Sequence, residues 1–459
     1  MRIHGALAAF LIVLTTIPGN LAARLRSAAA FDGAWQSARY YGGTDYEFGA
    51  RLVVDGAGNS YFLGYTFSAD MAPSIVPVSR ASGEPASATF VLKVNPEGTR
   101  VYATAVGTGI SVRPIDLDVG ADGTAHVLVR DGDVTRVIKL DALGRETMHV
   151  VIDPHAGPEV YPRAIASDDA GNSVVAGWSA EGLFVARLDD RGGVLGVYRI
   201  RGSADVRDVT VDAAGNIYLI GIAFAGDLPT TAGALRPQFM AGACPVAGPP
   251  DGRLPRTTPC TDAFVMKMTR AGALAYATYF GGSGWDDGQT IAVDRAGFAI
   301  ISGATESSDL PLVAAAKPQC NAGVFLPCGD AYIAKLDPNG AALVFSTYVG
   351  IQPVSLAADV TGTVYAAGAA GPSRLPTYRA PQPDFGGGEA DGFVIAYSPM
   401  GQIQWSTYIG GSGEDALLGV GGAAGIVYFG GVTTSPDLAS GGEPFHGGRD
   451  LFLAAIRNP

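Results

Sequence analysis

Proton transfer near neutral pH needs a group that titrates there, and this chain has five histidines. One of them, His155, is flanked by Asp153 and Glu159, so it could act as an acid or base beside carboxylates. The alternative is a solvated loop, because proximity in sequence does not establish a catalytic geometry. His126 falls inside a predicted strand and reads as structural. His149 lies in a divergent strand and His446 in a glycine-rich segment.

A second chemistry is the binding of hard cations, which take several oxygen ligands. The acidic candidates are Asp45 and Glu47, the adjacent residues Asp286 and Asp287, Glu414 and Asp415, and then Asp262, Asp330, Asp391 and Asp450. If calcium bound, Asp286, Asp287, Glu414 and Asp415 would be the ligands. Their recurrence at equivalent places along the chain points instead to a packing or turn-capping device, and no EF-hand spacing occurs. The chain contains no HExxH, GxSxG, Walker loop or sialidase-type Asp box. Neither a catalytic centre nor a cofactor is therefore expected.

The elements that would position these residues follow from composition and periodicity. Hydrophobic residues make up 47% and charged residues 16%, with 64 Gly and 29 Pro. That is too apolar for disorder and too rich in glycine for a helical protein, and it fits many short strands joined by tight turns. A formal charge of -12 without a Lys/Arg cluster excludes nucleic acid and disfavours anionic membranes.

The N-terminus carries Arg2, an apolar run from Ala6 to Ile17, and the small residues Ala22 and Ala23. This predicts a secretory signal peptide over 1–23, cut after Ala23 or, as second candidate, after Ala30. A short segment over 24–33 would follow, and the protein would be secreted, periplasmic or on the cell surface. In such a compartment the cysteines are expected to form local disulfides, Cys244 with Cys260 and Cys320 with Cys328. Neither segment has the His or CxxC pair of a zinc site.

Self-similarity decides the fold. Leu52–Gly64 recurs as Val209–Gly221, Ile291–Gly303 and Leu356–Gly368, and more weakly over 117–129, 165–177 and 419–431. Each copy is a hairpin around an Asp-x-x-Gly-Asn type turn. A third strand follows, such as Phe264–Met268 or Tyr332–Leu336, and a fourth, such as Leu343–Tyr348 or Ile403–Tyr408. Seven units of four antiparallel strands predict an all-β seven-bladed propeller over 34–459. The seventh copy lacks its fourth strand, while an orphan strand, Trp35–Gly43, matches Leu274–Gly282. The N-terminal strand is therefore expected to complete the last blade and close the ring.

The runs Thr278–Gly288, Ile291–Asp294, Ser308–Pro311 and Asp330–Pro338 resemble the repeat of the seven-bladed β-propeller (SBBP) family. The resemblance covers blades 1 and 4 to 7. Blades 2 and 3 depart from it, with short turns at 130–135 and 178–183. It implies a bacterial or archaeal surface or secreted protein and supplies no catalytic residues.

Strand alternation puts the 2-to-3 loops and the links between blades on one face and the tight turns on the other. The long loops at 65–89, 222–261, 304–329, 369–390 and 432–449 make the first face the candidate for recognition. The expected function is a non-enzymatic, monomeric binding module for a protein or glycan of the cell envelope. A propeller hydrolase or lyase acting on the same face is the alternative. The segments Cys244–Cys260 and Cys320–Cys328 are the expected recognition loops, since stapling lowers the ordering cost of binding.

Overall fold

The computed structural model describes residues 35–458 apart from 73, 75–85, 153–159, 241, 247–255, 322–327, 373 and 440. The predicted leader over 1–23, the segment over 24–33, and Asp153, His155 and Glu159 lie outside the described residues. The described residues contain strands and no helix long and apolar enough to cross a membrane.

Seven antiparallel four-stranded sheets form the ring. Blade 1 comprises Glu47–Val54, Ser60–Thr66, Ala88–Val94 and Arg100–Thr108. Blades 2 to 6 span 112–152, 160–200, 204–280, 290–348 and 353–409. Blade 7 consists of Asp415–Ala423, Ile426–Thr433 and Asp450–Arg457, completed by Trp35–Tyr41. The register of the closure runs from Trp35 opposite Ile456 to Tyr41 opposite Leu451. A two-residue strand, Gly441–Gly442, adds to the outer edge of that blade beside Arg39. The first strands of successive blades touch, and those of blades 7 and 1 touch each other, so the ring closes as the repeat predicts.

Blades 1 to 6 each open on a hairpin whose Asp caps its own turn, while the turn of blade 7, Ala423 to Ile426, has no Asp. In blade 1 Asp55 Oδ1 accepts from the amides of Ala57 and Asn59, both at 2.9 Å. Gly58 takes φ 86°, a conformation only glycine adopts at no steric cost. Between blades, buried cations hold the turns of the next unit. Lys139 is 2% exposed, and its ammonium donates to the carbonyls of Gly171 and Asp189 at 2.6 and 3.2 Å. His126 is fully buried with Nδ1 2.8 Å from Ser173 Oγ. Burial, then the neighbouring Lys139 charge, pushes its pKa down to about 4. It is a packing residue, as its place in a strand implies.

The cysteines differ from one another. Cys244 and Cys260 are joined, at a Cα separation of 5.1 Å, and they tie off a small hairpin of Ala243–Val246 and Arg256–Pro259. The bridge expected between Cys320 and Cys328 is not formed: both are thiols in this structure. They sit in hydrogen-bond contact, and burial followed by the Cys320 neighbour pushes the Cys328 thiol well up. The fold therefore supplies proximity, while bond formation requires an oxidant. Non-reducing peptide mapping of protein recovered from culture medium should show both local pairs, whereas a free Cys320 would confine stapling to the first.

Candidate functional site

Three places in the ring concentrate charged groups: the blade junctions, a cleft on the long-loop face and the axial channel. The sequence-predicted acids lie outside the third. At the junctions, Glu47, Asp262, Asp286, Asp391, Asp415 and Asp450 are fully buried. Asp286 accepts from the Gly282 amide at 2.6 Å, from Ser307 Oγ at 2.7 Å and from Thr305 Oγ1 at 2.5 Å. Asp415 makes equivalent bonds to the Gly411 amide and Ser435 Oγ, and Glu47 to the Gly43 amide and Thr66 Oγ1. The recurring acid of each Gly-Gly segment thus caps the link into its blade. Asp287 and Glu414 face elsewhere: Asp287 accepts from Thr261 Oγ1 at 3.0 Å, and the exposed Glu414 pairs with Arg449 at 2.9 Å. The four acids considered for calcium, Asp286, Asp287, Glu414 and Asp415, therefore belong to two separate junctions, 4/5 and 6/7. Among the described residues no three His, Cys, Asp or Glu converge as a metal site.

On the long-loop face, blades 4 and 5 enclose a cleft of about 330 Å³ lined by Ile222, Phe224, Thr261, Trp285, Asp287 and Glu306. Every one of these residues comes from the end of a second strand, the start of a third, or the link between the two blades, which is why alternation places them together. Phe224 is 50% exposed at the rim of this cleft. The disulfide hairpin is anchored at its edge. Cys260 donates its backbone amide to the Gly242 carbonyl at 3.1 Å, and a Cβ on Gly242 would lie 2.0 Å from the Ser283 carbonyl oxygen. Burial raises the pKa of both Asp287 and Glu306, and the Asp287 charge raises Glu306 further. An aromatic wall and two carboxylates equip this cleft to stack on an apolar ligand face and accept hydrogen bonds.

The axial channel contains a grouping that reading along the loops does not reveal. Each first strand that enters the bulge carries one residue at an equivalent position: Arg51, Asp116, Ala164, Asp208, Ser355 and Gly419. Arg51 of blade 1 reaches Asp116 of blade 2 through Nε and Asp208 of blade 4 through Nη2, each at 3.4 Å. Both aspartates also hold the next blade, Asp116 by accepting from the Ile165 amide at 2.8 Å and Asp208 from the Ile291 amide at 3.0 Å. Desolvation alone would lower the Arg51 pKa. The Asp208, Asp116 and Asp118 charges outweigh it and hold the guanidinium charged. Asp116 is raised, chiefly by burial. Below this bridge a pocket of about 320 Å³ opens on the tight-turn face between Asp55, Arg295 and Asp359. The signal available in sequence was a charged residue at the bulge of an inner strand, where Ala164 and Gly419 show that small residues suffice.

No family model matches the chain, and no curated protein matches it in sequence. Several solved structures are similar to it. The WD40 domain of Pan2 from Neurospora crassa is 9% identical, with 93% of this chain and 96% of that one covered at a TM-score of 0.50. A virginiamycin B lyase from Staphylococcus aureus is 10% identical, covering 92% and 99% at 0.45. A protein of unknown function from Bacteroides caccae is 10% identical, covering 70% and 89% at 0.36. At these identities a likeness is one of fold alone, and of these three the Pan2 domain, at a TM-score of 0.50, supports a β-propeller.

Proposed function

We propose that this chain is an exported, non-enzymatic binding module of the SBBP type, which engages a protein or glycan of the cell surface or envelope through its long-loop face. The observation that carries the reading is the cleft between blades 4 and 5. There Phe224 and Trp285 flank Asp287 and Glu306, beside a disulfide-stapled hairpin. A near-symmetric scaffold gains specificity only where its blades differ, and this junction combines a long loop, a staple and an exposed aromatic.

The N-terminal apolar run and the cysteines support export. The net charge of -12 favours a neutral or cationic partner over an anionic polymer. Aromatic anchors dominate binding energetics, and a Trp truncated at an interface centre typically costs 2 kcal/mol or more. In a screen of the purified chain against glycans and envelope proteins, F224A/W285A should therefore weaken capture by roughly 30-fold. D287N should have a smaller effect. Full binding by the double variant would remove the cleft from recognition. A change in the covalent structure of the captured partner would replace this reading with the hydrolase or lyase alternative.

A further inference from the structure

The junction acids carry an inference independent of what the protein recognises. At three of the seven junctions the aspartate that starts a third strand meets an acid that starts the next blade. The pairs are Asp262 with Asp286 (blades 4 and 5), Asp391 with Asp415 (6 and 7), and Asp450 with Glu47 (7 and 1). All six side chains are fully buried. In every pair the strand-start aspartate uses Oδ2 to accept a loop amide, from Met240, Gly386 or His446. Its Oδ1 has no hydrogen-bond donor in all three cases. In two of the pairs the unpartnered oxygen and the partner acid meet across a glycine, and in the third Asp391 Oδ1 lies against Gly410 while the Asp415 charge acts on Asp391. A Cβ on Gly281 would lie 2.7 Å from both Asp262 Oδ1 and Asp286 Oδ2, and one on Gly42 would lie 2.3 Å from Asp450 Oδ1 and 2.8 Å from Glu47 Oε2.

The remaining junctions act as internal controls. Between blades 5 and 6 the second acid is replaced by Ile351, and Asp330 is fully satisfied instead. Its Oδ1 accepts from the Ala331 and Gly350 amides, and its Oδ2 from the Asn321 amide and the Lys317 ammonium. The other three junctions carry Ala88 with Val112, Val134 with Val160, and Gly182 with Ala204 at the corresponding positions, none of them acidic. The unaccompanied Asp330 thus has a lysine ammonium and amides on both oxygens, whereas each paired aspartate keeps one oxygen without a donor.

From this arrangement we infer that each of the three acid pairs binds one proton, held between Oδ1 of Asp262, Asp391 or Asp450 and the acid of the next blade, and that these protons seal the ring. A carboxylic O–H supplies the donor each orphaned oxygen lacks, and two adjacent buried carboxylates do not both ionise. A hard cation is the poorer occupant. It needs six or more oxygen ligands, and both oxygens of Asp286 already accept from an amide or hydroxyls, as does Oδ2 of Asp415.

The pH dependence follows in sign. Burial raises Glu47 and Asp286 to about 7 and Asp262 and Asp391 to about 6, and it also raises Asp415 and Asp450. Below the ordinary carboxylate range both folded and unfolded chains hold the protons, and the contribution is fully present. As pH rises from about 4 to about 7, the unfolded chain releases protons that the folded chain retains, and stability is lost. The charged neighbours are Arg236 beside Asp262, Asp437 beside Asp415, and Glu443 and His446 beside Asp450. Asp116 in the channel titrates with the same sign. His126, held near 4, titrates with the opposite sign.

The test is the melting temperature of the purified chain between pH 5 and pH 8, for the wild type and for D262N/D391N/D450N. The asparagine amide supplies the missing donor without a titrating proton. The wild type should lose roughly 5 °C over this interval, and the triple variant should lose less than half as much and melt higher at pH 8. Should the variant not fold, infrared spectroscopy of the wild type at pH 6 reports the proton directly, through the C=O stretch of protonated carboxyl groups. A wild-type melting temperature that stays level or rises with pH, the absence of that stretch, or calcium stabilising the wild type but not the variant at pH 8 would each overturn the inference.

Discussion

Deletion of residues 35–41 should lower the melting temperature by roughly 10 °C or prevent folding, the largest effect expected of any single change. The strand buries Tyr40 and Tyr41, each 3% exposed, and burying one such side chain contributes about 2 kcal/mol. The Tyr40 hydroxyl donates to the Ser435 carbonyl at 2.8 Å and accepts from the Ala439 amide at 2.9 Å. Without the strand, Asp450–Arg457 becomes an edge carrying Phe452 and Ile456, and an exposed apolar edge invites association. Thermal melts should show no change when 24–33 are removed instead. Equal effects of the two deletions would mean that the N-terminal strand does not close the ring.

Arg51→Met should cost about 3 kcal/mol, because breaking a buried ion cluster from one side leaves the other charges uncompensated. Asp116 and Asp208 are 5% and 3% exposed, and they would face each other with no guanidinium between them. The loss should be larger at pH 8 than at pH 5, since protonation of Asp116, already raised by burial, relieves the repulsion at low pH. Urea titrations at both pH values measure this difference. Adding Asp116→Asn to the Arg51→Met variant should recover part of the loss. A loss that is equal at both pH values, with no recovery in the double variant, would show that Arg51 acts by packing alone.

The features legible in the sequence were those with a short period. A turn such as Asp55 to Asn59 announces itself, because its Asp and Gly fall within a few residues, and six such turns, with a seventh marked by Gly425 alone, specify seven hairpins. The closure was legible for the same reason: Trp35–Gly43 matches a fourth strand without a blade of its own. The Arg51 bridge was not, because its partner Asp208 is 157 residues away, and only the ring geometry brings blades 1 and 4 to one axis. The junction acids were visible as a recurrence but not as pairs. Asp450 and Glu47 become neighbours only when the chain ends meet, and the unpartnered oxygens depend on which loop amides reach each aspartate. The cleft combined two loops whose lengths gave no indication that Phe224 and Trp285 would share a wall.

Recognition by the long-loop face is tested most directly by hydrogen–deuterium exchange of the chain alone and with its captured partner bound. Binding at the proposed cleft predicts slowed exchange in the amides around 224, 261, 285–287 and 304–306, with the tight-turn face unchanged. Slowed exchange confined to the channel mouth around Asp55, Arg295 and Asp359, with the cleft unaffected, would contradict it and move recognition to the opposite face of the ring.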